Sequence, residues 1–435
     1  MEGAKKVKKI KKKKQIFQAP KGMPDILPRD QIWWEKIFEV GREVSSLYDF
    51  SFMETPILES AGLFEASLGE SSDVIEKQMY VFKTKGDQRL ALRPEGTTPI
   101  CRAYLENHLG YYAHPLKVFY HGQMLRYEQP QAGRFRQHHQ WGFEVLGDAH
   151  PVYDAQIIFA IHRFLNLLKI KGINFRINTI GCRICRPNYR RKLLEYYRPL
   201  KKELCEDCQR RLEINPLRLL DCKNENCLAL KSSAPVILNH LCQNCNNHLR
   251  GVLEFIEDND LAYVSDPFLV RGLDYYNRTV FEIDVPELKM ALAAGGRYDY
   301  LMEIIGGQSV SGVGGSIGIE RVIEVMKQQQ IIFESKSKPR VFFVAVGDQA
   351  EKSGLVLVEN MRRAGVAVSE ALGRKSLKAQ LKAADKKGVN LVLIFGQKEV
   401  FEETIILRDM KSGVQENILL TKLVEEVKKR LHPVK

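Results

Sequence analysis

The sequence predicts an α+β domain built on an antiparallel sheet, followed by a smaller α/β domain. Three observations carry this. Strand-like runs in the longer, N-terminal part come in hairpin pairs, notably around the turn at 129–133, which favours antiparallel pairing with helices laid on the sheet. After 335–339, a polar stretch ending in proline, apolar β-branched runs alternate with helical ones, the pattern of a small, mostly parallel sheet. No G-x-x-x-x-G-K-[ST] segment occurs, which argues against a P-loop nucleotide fold.

The 435 residues suffice for two or three domains, and 44% hydrophobic residues mark a globular chain. No apolar run approaches the ~20 residues of a membrane span. The N-terminus lacks the apolar stretch of a signal peptide, so a cytoplasmic location and no membrane partner are expected. The net charge of +13 favours an anionic partner, nucleic acid first. Residues 1–15 hold eight lysines against one glutamate. Residues 1–16 are therefore expected to be a solvated, disordered basic tail, with non-specific RNA contact as the sharper reading.

Residues 17–334 form the larger domain, interrupted by a cysteine-rich insertion at about 181–250. The linker is 335–339 and the second domain 340–435. Within the latter, 340–346, 366–369, 389–395 and 404–407 read as strands, and 349–363, 377–387 and 421–431 as helices.

Several segments of the larger domain carry chemistry. The run R-F-R-Q-H-H-Q-W-G-F-E at 134–144, read as a strand, puts Arg134, Arg136, His138, Gln140, Gly142 and Glu144 on one face. Phe135, Gln137, His139, Trp141 and Phe143 take the other. One face is polar and the other largely apolar; two arginines beside Gln140 and Glu144 suit a phosphate and a small polar molecule, although a solvent-facing hairpin would give the same alternation. Arg126 and Glu128 lie on the preceding strand. Residues 271–282, R-G-L-D-Y-Y-N-R-T-V-F-E, read as a strand with Gly272, Asp274 and Tyr276 on one side, and A-A-G-G-R-Y-D follows at 293–299. L-R-P-E-G-T-T at 92–98 sets Glu95 at the start of a helix that Thr97 or Thr98 could cap. G-V-G-G-S-I-G-I-E-R at 312–321 is a glycine-rich run turning helical, where bare backbone admits a flat base and Arg321 can stack on it.

These segments together resemble histidyl-tRNA synthetases. The 271–282 and 293–299 runs resemble the two histidine signatures. Residues 49–59, with Pro56, the hairpin around 129–133, and 312–321 resemble motifs 1, 2 and 3 of class II aminoacyl-tRNA synthetases. The resemblance spans roughly residues 17–430. It implies a class II catalytic domain with a C-terminal anticodon-binding α/β domain, acting as a homodimer whose motif 1 lies at the interface. The implied activity joins L-histidine to ATP as histidyl-adenylate, releasing pyrophosphate, and then transfers histidine to the 3′-end of histidine tRNA, with Mg²⁺ on the nucleotide.

By the same resemblance, Arg126 and Arg271 are catalytic, flanking the α-phosphate. Glu95, Thr97 and Gln140 take the α-amino group of histidine, Glu144 and Tyr276 take its imidazole, and Tyr275 and Tyr298 complete the histidine pocket. Glu128 holds the adenine side, Arg136 the phosphates and Arg321 covers ATP. The 129–133 loop faces the acceptor end of tRNA, with Gln129 standing where many relatives have arginine. Two rivals are a synthetase for another amino acid and the synthetase-like regulatory subunit of histidine biosynthesis. The second lacks an anticodon-binding domain, which this chain's pattern supplies.

Eight of the nine cysteines fall in the insertion as four close pairs: Cys182 with Cys185, Cys205 with Cys208, Cys222 with Cys227, and Cys242 with Cys245. Three pairs have the C-x₂-C spacing of zinc knuckles. Two pairs make one tetrahedral Zn²⁺ site, so the expectation is two sites, Cys182/Cys185/Cys242/Cys245 and Cys205/Cys208/Cys222/Cys227. The spacing is equally compatible with buried thiols that hold no metal, and the resemblance does not call for one.

Overall fold

The computed structural model describes residues 17–431 except 70, 71, 73, 132, 289, 334–340, 372, 374 and 375. The basic tail and the linker lie outside the described residues. The chain divides into two compact units, Met1–Phe333 and Glu334–Lys435.

The first unit is organised by an eight-stranded sheet. Its order runs from Ser51–Phe52 through Leu116–Leu125, Gln137–Leu146, Gly312–Gly318, Ala293–Arg297, Asn277–Asp284 and Asn174–Thr179 to Val264–Ser265. Only the two short edge strands pair in parallel; every inner pairing is antiparallel. This is the antiparallel α+β sheet that the hairpin pattern predicts.

The alternation of Gln137–Leu146 sorts the two faces. Trp141, Phe143 and Val145 enter one core, shared with helices Gln31–Leu47, Val152–Leu167 and Ile319–Gln328. These helices present apolar residues at three- and four-residue steps: Trp34, Ile37 and Val44 on the first, Ile157, Ile161 and Phe164 on the second. Gly41 makes room for the Trp141 ring, whose atoms would lie 2.6 Å from an added Cβ. On the opposite face, His138 and Gln140 open onto a cleft, while Glu144 is buried beneath it.

One expectation fails. The strand of the 271–282 run begins only at Asn277; residues 271–276 form bends and turns. The insertion explains this. Asn215 Nδ2 donates to Asp274 Oδ1 at 3.0 Å, and Arg218 Nη1 donates to the Arg271 carbonyl at 3.4 Å. The Arg218 guanidinium thus takes up the Arg271 carbonyl, a backbone acceptor that a ladder would otherwise pair.

The insertion is helical, with Cys185–Tyr197, Glu206–Ile214, Glu225–Lys231 and Gln243–Glu257 as its main helices. Its buried apolar residues, among them Tyr189, Leu193, Tyr197, Leu212 and Leu219, are continuous with a core that also holds Phe64, Ile100 and Tyr298.

The second unit holds a five-stranded sheet in the order Val368–Glu370, Val341–Val346, Leu391–Gly396, Thr404–Asp409, Gln415–Leu419. The first three strands are parallel and the last two antiparallel. The sheet is thus mixed rather than mostly parallel. Gln415–Leu419 buries only Ile418, so it leaves no apolar run to read. The near-continuous apolar runs 341–346 and 391–396 are the central strands, with a core on each face.

Candidate active site

The polar face of the large sheet opens into a cleft of about 830 Å³. Glu95, Thr97, Arg126, Glu128, Gln140, Arg271, Tyr275, Tyr276 and Arg321 all line it, although they come from segments more than two hundred residues apart.

The end holding Glu95 is a closed carboxylate system. Glu95 caps the helix Thr97–Glu106, its two oxygens accepting the Thr97 and Thr98 N–H groups at 2.7 and 2.9 Å. The cap therefore comes from Glu95 and not from either threonine hydroxyl. The Thr97 hydroxyl donates instead to Glu144 Oε1 at 2.7 Å, and Tyr298 donates to Glu144 Oε2 at 2.5 Å. Tyr275 OH stands 3.5 Å from Glu95, with its ring 4.6 Å from that of Tyr276 and 5.9 Å from that of Tyr298.

Glu144 and Tyr298 are fully buried behind this wall rather than on it. Burial raises the Glu144 pKa from 4.5 to about 8, even though the Tyr298 and Thr97 hydrogen bonds act the other way. Motif glycines make the space: a Cβ on Gly314 would overlap the Glu144 carboxylate, and one on Gly312 would overlap the Tyr298 ring. These two glycines therefore admit protein side chains, not a flat base.

Gln140 adds an Oε1 that is buried without a hydrogen-bond partner among the described residues, as is Arg271 Nε. Such atoms on a cleft wall call for a ligand or water.

The other end is cationic. The Arg126 guanidinium is fixed by its Nε bond to the Pro94 carbonyl at 2.8 Å. Arg321 is held by the carbonyls of Gly133, 3.0 Å from Nε, and Ala291, 2.7 Å from Nη1. Burial lowers its pKa, and Arg126 adds to the effect. Burial, with Arg126 and Arg321, likewise drives His138 well below its usual range, so it is neutral. Arg271 forms an ion pair with Glu282 and lies 5.7 Å over the Tyr276 ring. Burial opposes its charge most strongly, and Glu282, Tyr276, Asp221 and Tyr275 together outweigh it, leaving its pKa raised.

Arg136 is placed differently from the simple alternation. It precedes the first ladder residue, Gln137, and lies off the cleft wall. Its Nε donates to the Glu128 carbonyl at 3.1 Å and its guanidinium stacks 3.9 Å over Tyr127. Phe135, assigned to the apolar face, lines the cleft instead, as does Arg134, 3.8 Å from Glu128.

Sequence reasoning passed over Tyr120 and the group Arg176, Asp266, Glu282 and Asp284, all on the cleft wall. Arg176 binds the three carboxylates at 2.9–3.0 Å. These four residues are scattered along the chain and only the fold assembles them. In the A-A-G-G-R-Y-D run, Arg297 points away from the cleft, buried in ion pairs with Asp154 and Asp299.

The eight insertion cysteines gather into two tetrads, Cys182/Cys185/Cys242/Cys245 and Cys205/Cys208/Cys222/Cys227, with all sulfurs of a tetrad within 4.8 Å of one another. None is in a disulfide.

An antiparallel sheet whose hairpin and glycine-rich strand frame a cleft with cationic and carboxylate ends, plus a separate α/β unit, defines a class II aminoacyl-tRNA synthetase. Residues 22–322 match the family model for histidyl-tRNA synthetase, and 340–430 match that for an anticodon binding domain. The chain is 42% identical over 418 residues to a histidine–tRNA ligase of Dehalococcoides mccartyi, covering 96% of this chain and all of the relative. It is 41% identical over 416 residues to one of Desulfitobacterium hafniense, covering 95% and 98%. The apo histidyl-tRNA synthetase of S. aureus superposes with a TM-score of 0.80 at 32% identity, over 95% of this chain and 100% of that one. The chain belongs to the histidyl-tRNA synthetase family, and its activity is the ligase reaction that charges tRNA with histidine. Among the described residues, no helix is long and apolar enough to cross a membrane.

Proposed function

We propose that the cleft binds histidine at its Glu95 end and ATP at its Arg321 end, and joins them by displacement at the α-phosphate. The observation that carries this is the shared wall: carboxylate and amide acceptors at Glu95 and Gln140, and cations at Arg126, Arg271 and Arg321. Glu95, Thr97 and Gln140 receive the α-ammonium, the unpartnered Gln140 oxygen gaining a donor. Tyr276 reaches the imidazole directly, with Tyr275 beside it. Glu144 acts from behind Thr97 and Tyr298, shifting with them when histidine enters. Arg126 and Arg271 flank the α-phosphate, Glu128 meets the adenine side, and Arg321 covers the nucleotide. Arg136 serves the phosphates by orienting the Glu128 backbone that it already holds.

A histidine carboxylate oxygen attacks the α-phosphorus, the bond to the bridging oxygen breaks, and pyrophosphate leaves. A terminal hydroxyl of tRNA then attacks the carbonyl carbon and AMP leaves. Positioning and neutralisation of phosphate charge dominate, since the first step requires no proton transfer. Glu282, which lines the cleft beside Arg271, would offer a hard oxygen donor to Mg²⁺ bound with ATP, which would supply charge neutralisation at the outer phosphates.

The working form is a cytoplasmic homodimer, with the 49–59 segment at the interface, and the second domain reads the anticodon. Pyrophosphate exchange into ATP tests the reading: it is expected with histidine and absent with the other amino acids. Equal exchange with a second amino acid would sink it.

A further inference from the structure

Each cysteine tetrad has the dimensions of a tetrahedral thiolate site. Zinc–sulfur bonds of ~2.3 Å put sulfurs ~3.8 Å apart at tetrahedral angles. Cys182 and Cys185 stand 3.7 Å apart, Cys182 and Cys242 3.8 Å, and Cys205 and Cys222 3.8 Å. A disulfide would need ~2.05 Å. Backbone N–H groups already point at the sulfurs, as they do around bound thiolates: Cys242 N to Cys185 Sγ at 3.1 Å, and Cys205 N to Cys227 Sγ at 3.4 Å. Four thiolates with no oxygen ligand select zinc over magnesium or calcium.

The position of the tetrads gives them a further role. The inner tetrad closes both ends of the short helix Pro216–Asp221: Cys222 follows it directly, and Cys208 lies in the helix Glu206–Ile214 before it. That connection carries Asn215 and Arg218, which hold Asp274 and the Arg271 carbonyl. The outer tetrad fixes the start of the insertion. There the Gly181 carbonyl accepts Arg278 N–H at 2.8 Å, and Arg186 donates to the Tyr276 carbonyl. Cys222 itself lines the cleft.

We infer that the insertion binds two zinc ions whose tetrads brace the Arg271–Tyr276 loop from its two ends, so that amino-acid activation, and not only contact with tRNA, depends on the metal. This rests on the synthetase reading of the cleft. The ions take no part in the chemistry. They supply folding energy to the module, and the module holds the loop in place of a strand ladder.

The test combines metal content with histidine affinity in the full chain. Protein purified without chelator is expected to carry two zinc ions per chain by elemental analysis, with its eight insertion thiols shielded from a thiol reagent until the metal is removed. Cys222→Ser and Cys242→Ser should each lose about one zinc. Each should bind histidine more weakly by calorimetry, on the order of tenfold, alongside slower pyrophosphate exchange. Asn215→Ala keeps both tetrads, so it decides the matter even where a cysteine variant does not fold. It should retain two zinc ions and an unchanged ATP KM yet raise the histidine KM. Metal-free protein with freely reacting thiols would overturn the zinc sites and leave the cleft assignment standing. Two zinc ions with unaltered histidine binding in Asn215→Ala would overturn the brace. Failure of histidine-dependent exchange in the unaltered, zinc-loaded protein would instead strike the synthetase reading.

Discussion

Tyr298 donates a 2.5 Å hydrogen bond to Glu144, and both side chains are fully buried behind the Glu95 end of the cleft. This carboxyl is thus insulated from water and reaches the cleft only through hydroxyl neighbours. Its proton is held by burial, since the folded pKa of about 8 lies far above the ordinary 4.5.

The sign of the linkage follows. A carboxyl raised on folding stabilises the native state fully below its unfolded value, and that contribution is lost as pH climbs towards the folded value. For Glu144 the window is from 4.5 to about 8. The ligand-free Glu144→Gln variant keeps a neutral group there at every pH, so its melting temperature should gain on the parent as pH rises through this window. Melting curves between about pH 5 and pH 9 provide the check, and a flat difference contradicts the assignment. The same variant should raise the histidine KM more than the ATP KM, because an amide cannot become the anionic acceptor that imidazole prefers.

Arg271→Ala removes a buried cation that is paired with Glu282 in the free protein. Loss of a transition-state contact of this kind costs about 3–4 kcal/mol, or ~10²–10³ in rate. Histidine-dependent pyrophosphate exchange should fall by that factor with the circular dichroism spectrum unchanged. Near-parental exchange would take Arg271 out of the mechanism.

Gly314→Ala tests the packing beneath the pocket. Its Cβ would overlap the Glu144 carboxylate and approach the Phe143 carbonyl at 2.8 Å. Overpacking of this kind costs ~1–3 kcal/mol. Urea unfolding should show that loss, and the added change Glu144→Ala should restore part of it. A double variant no more stable than Gly314→Ala alone would place the strain elsewhere.

Removing residues 338–435 deletes the second compact unit. Every residue lining the cleft lies in the first. Pyrophosphate exchange should persist while aminoacylation of tRNA falls sharply. A truncated, folded protein that charges tRNA at the full rate would deny the second unit its role.

The sequence was most legible where a ladder is continuous. In Gln137–Leu146 the period of two sorts His138, Gln140 and Glu144 from Trp141 and Phe143, as the alternation requires. It was misleading where the ladder stops. Arg136 lies just outside it and folds onto Tyr127, and residues 271–276 leave it and meet insertion side chains instead. Both segments have strand-forming composition, and the pattern of 271–276 does not report partners more than fifty residues away. The Arg176 cluster was silent for the same reason, joining carboxylates from two distant segments. The cysteines were the opposite case, since the close pairs themselves predict which chain ends must meet.

The order of strands in the large sheet also governs when the protein can fold as it is made. Gln137–Leu146 finds one neighbour at once in Leu116–Leu125, but its other neighbour is Gly312–Gly318. A ribosome adding ~5–20 residues per second leaves that edge open for roughly ten to thirty seconds. During this interval the backbone of Gln137–Leu146 lacks its second ladder, although Trp141 can already meet Phe38, Phe119 and Phe164. The whole 181–250 helical segment emerges inside this waiting period, so both cysteine tetrads can assemble before the sheet closes.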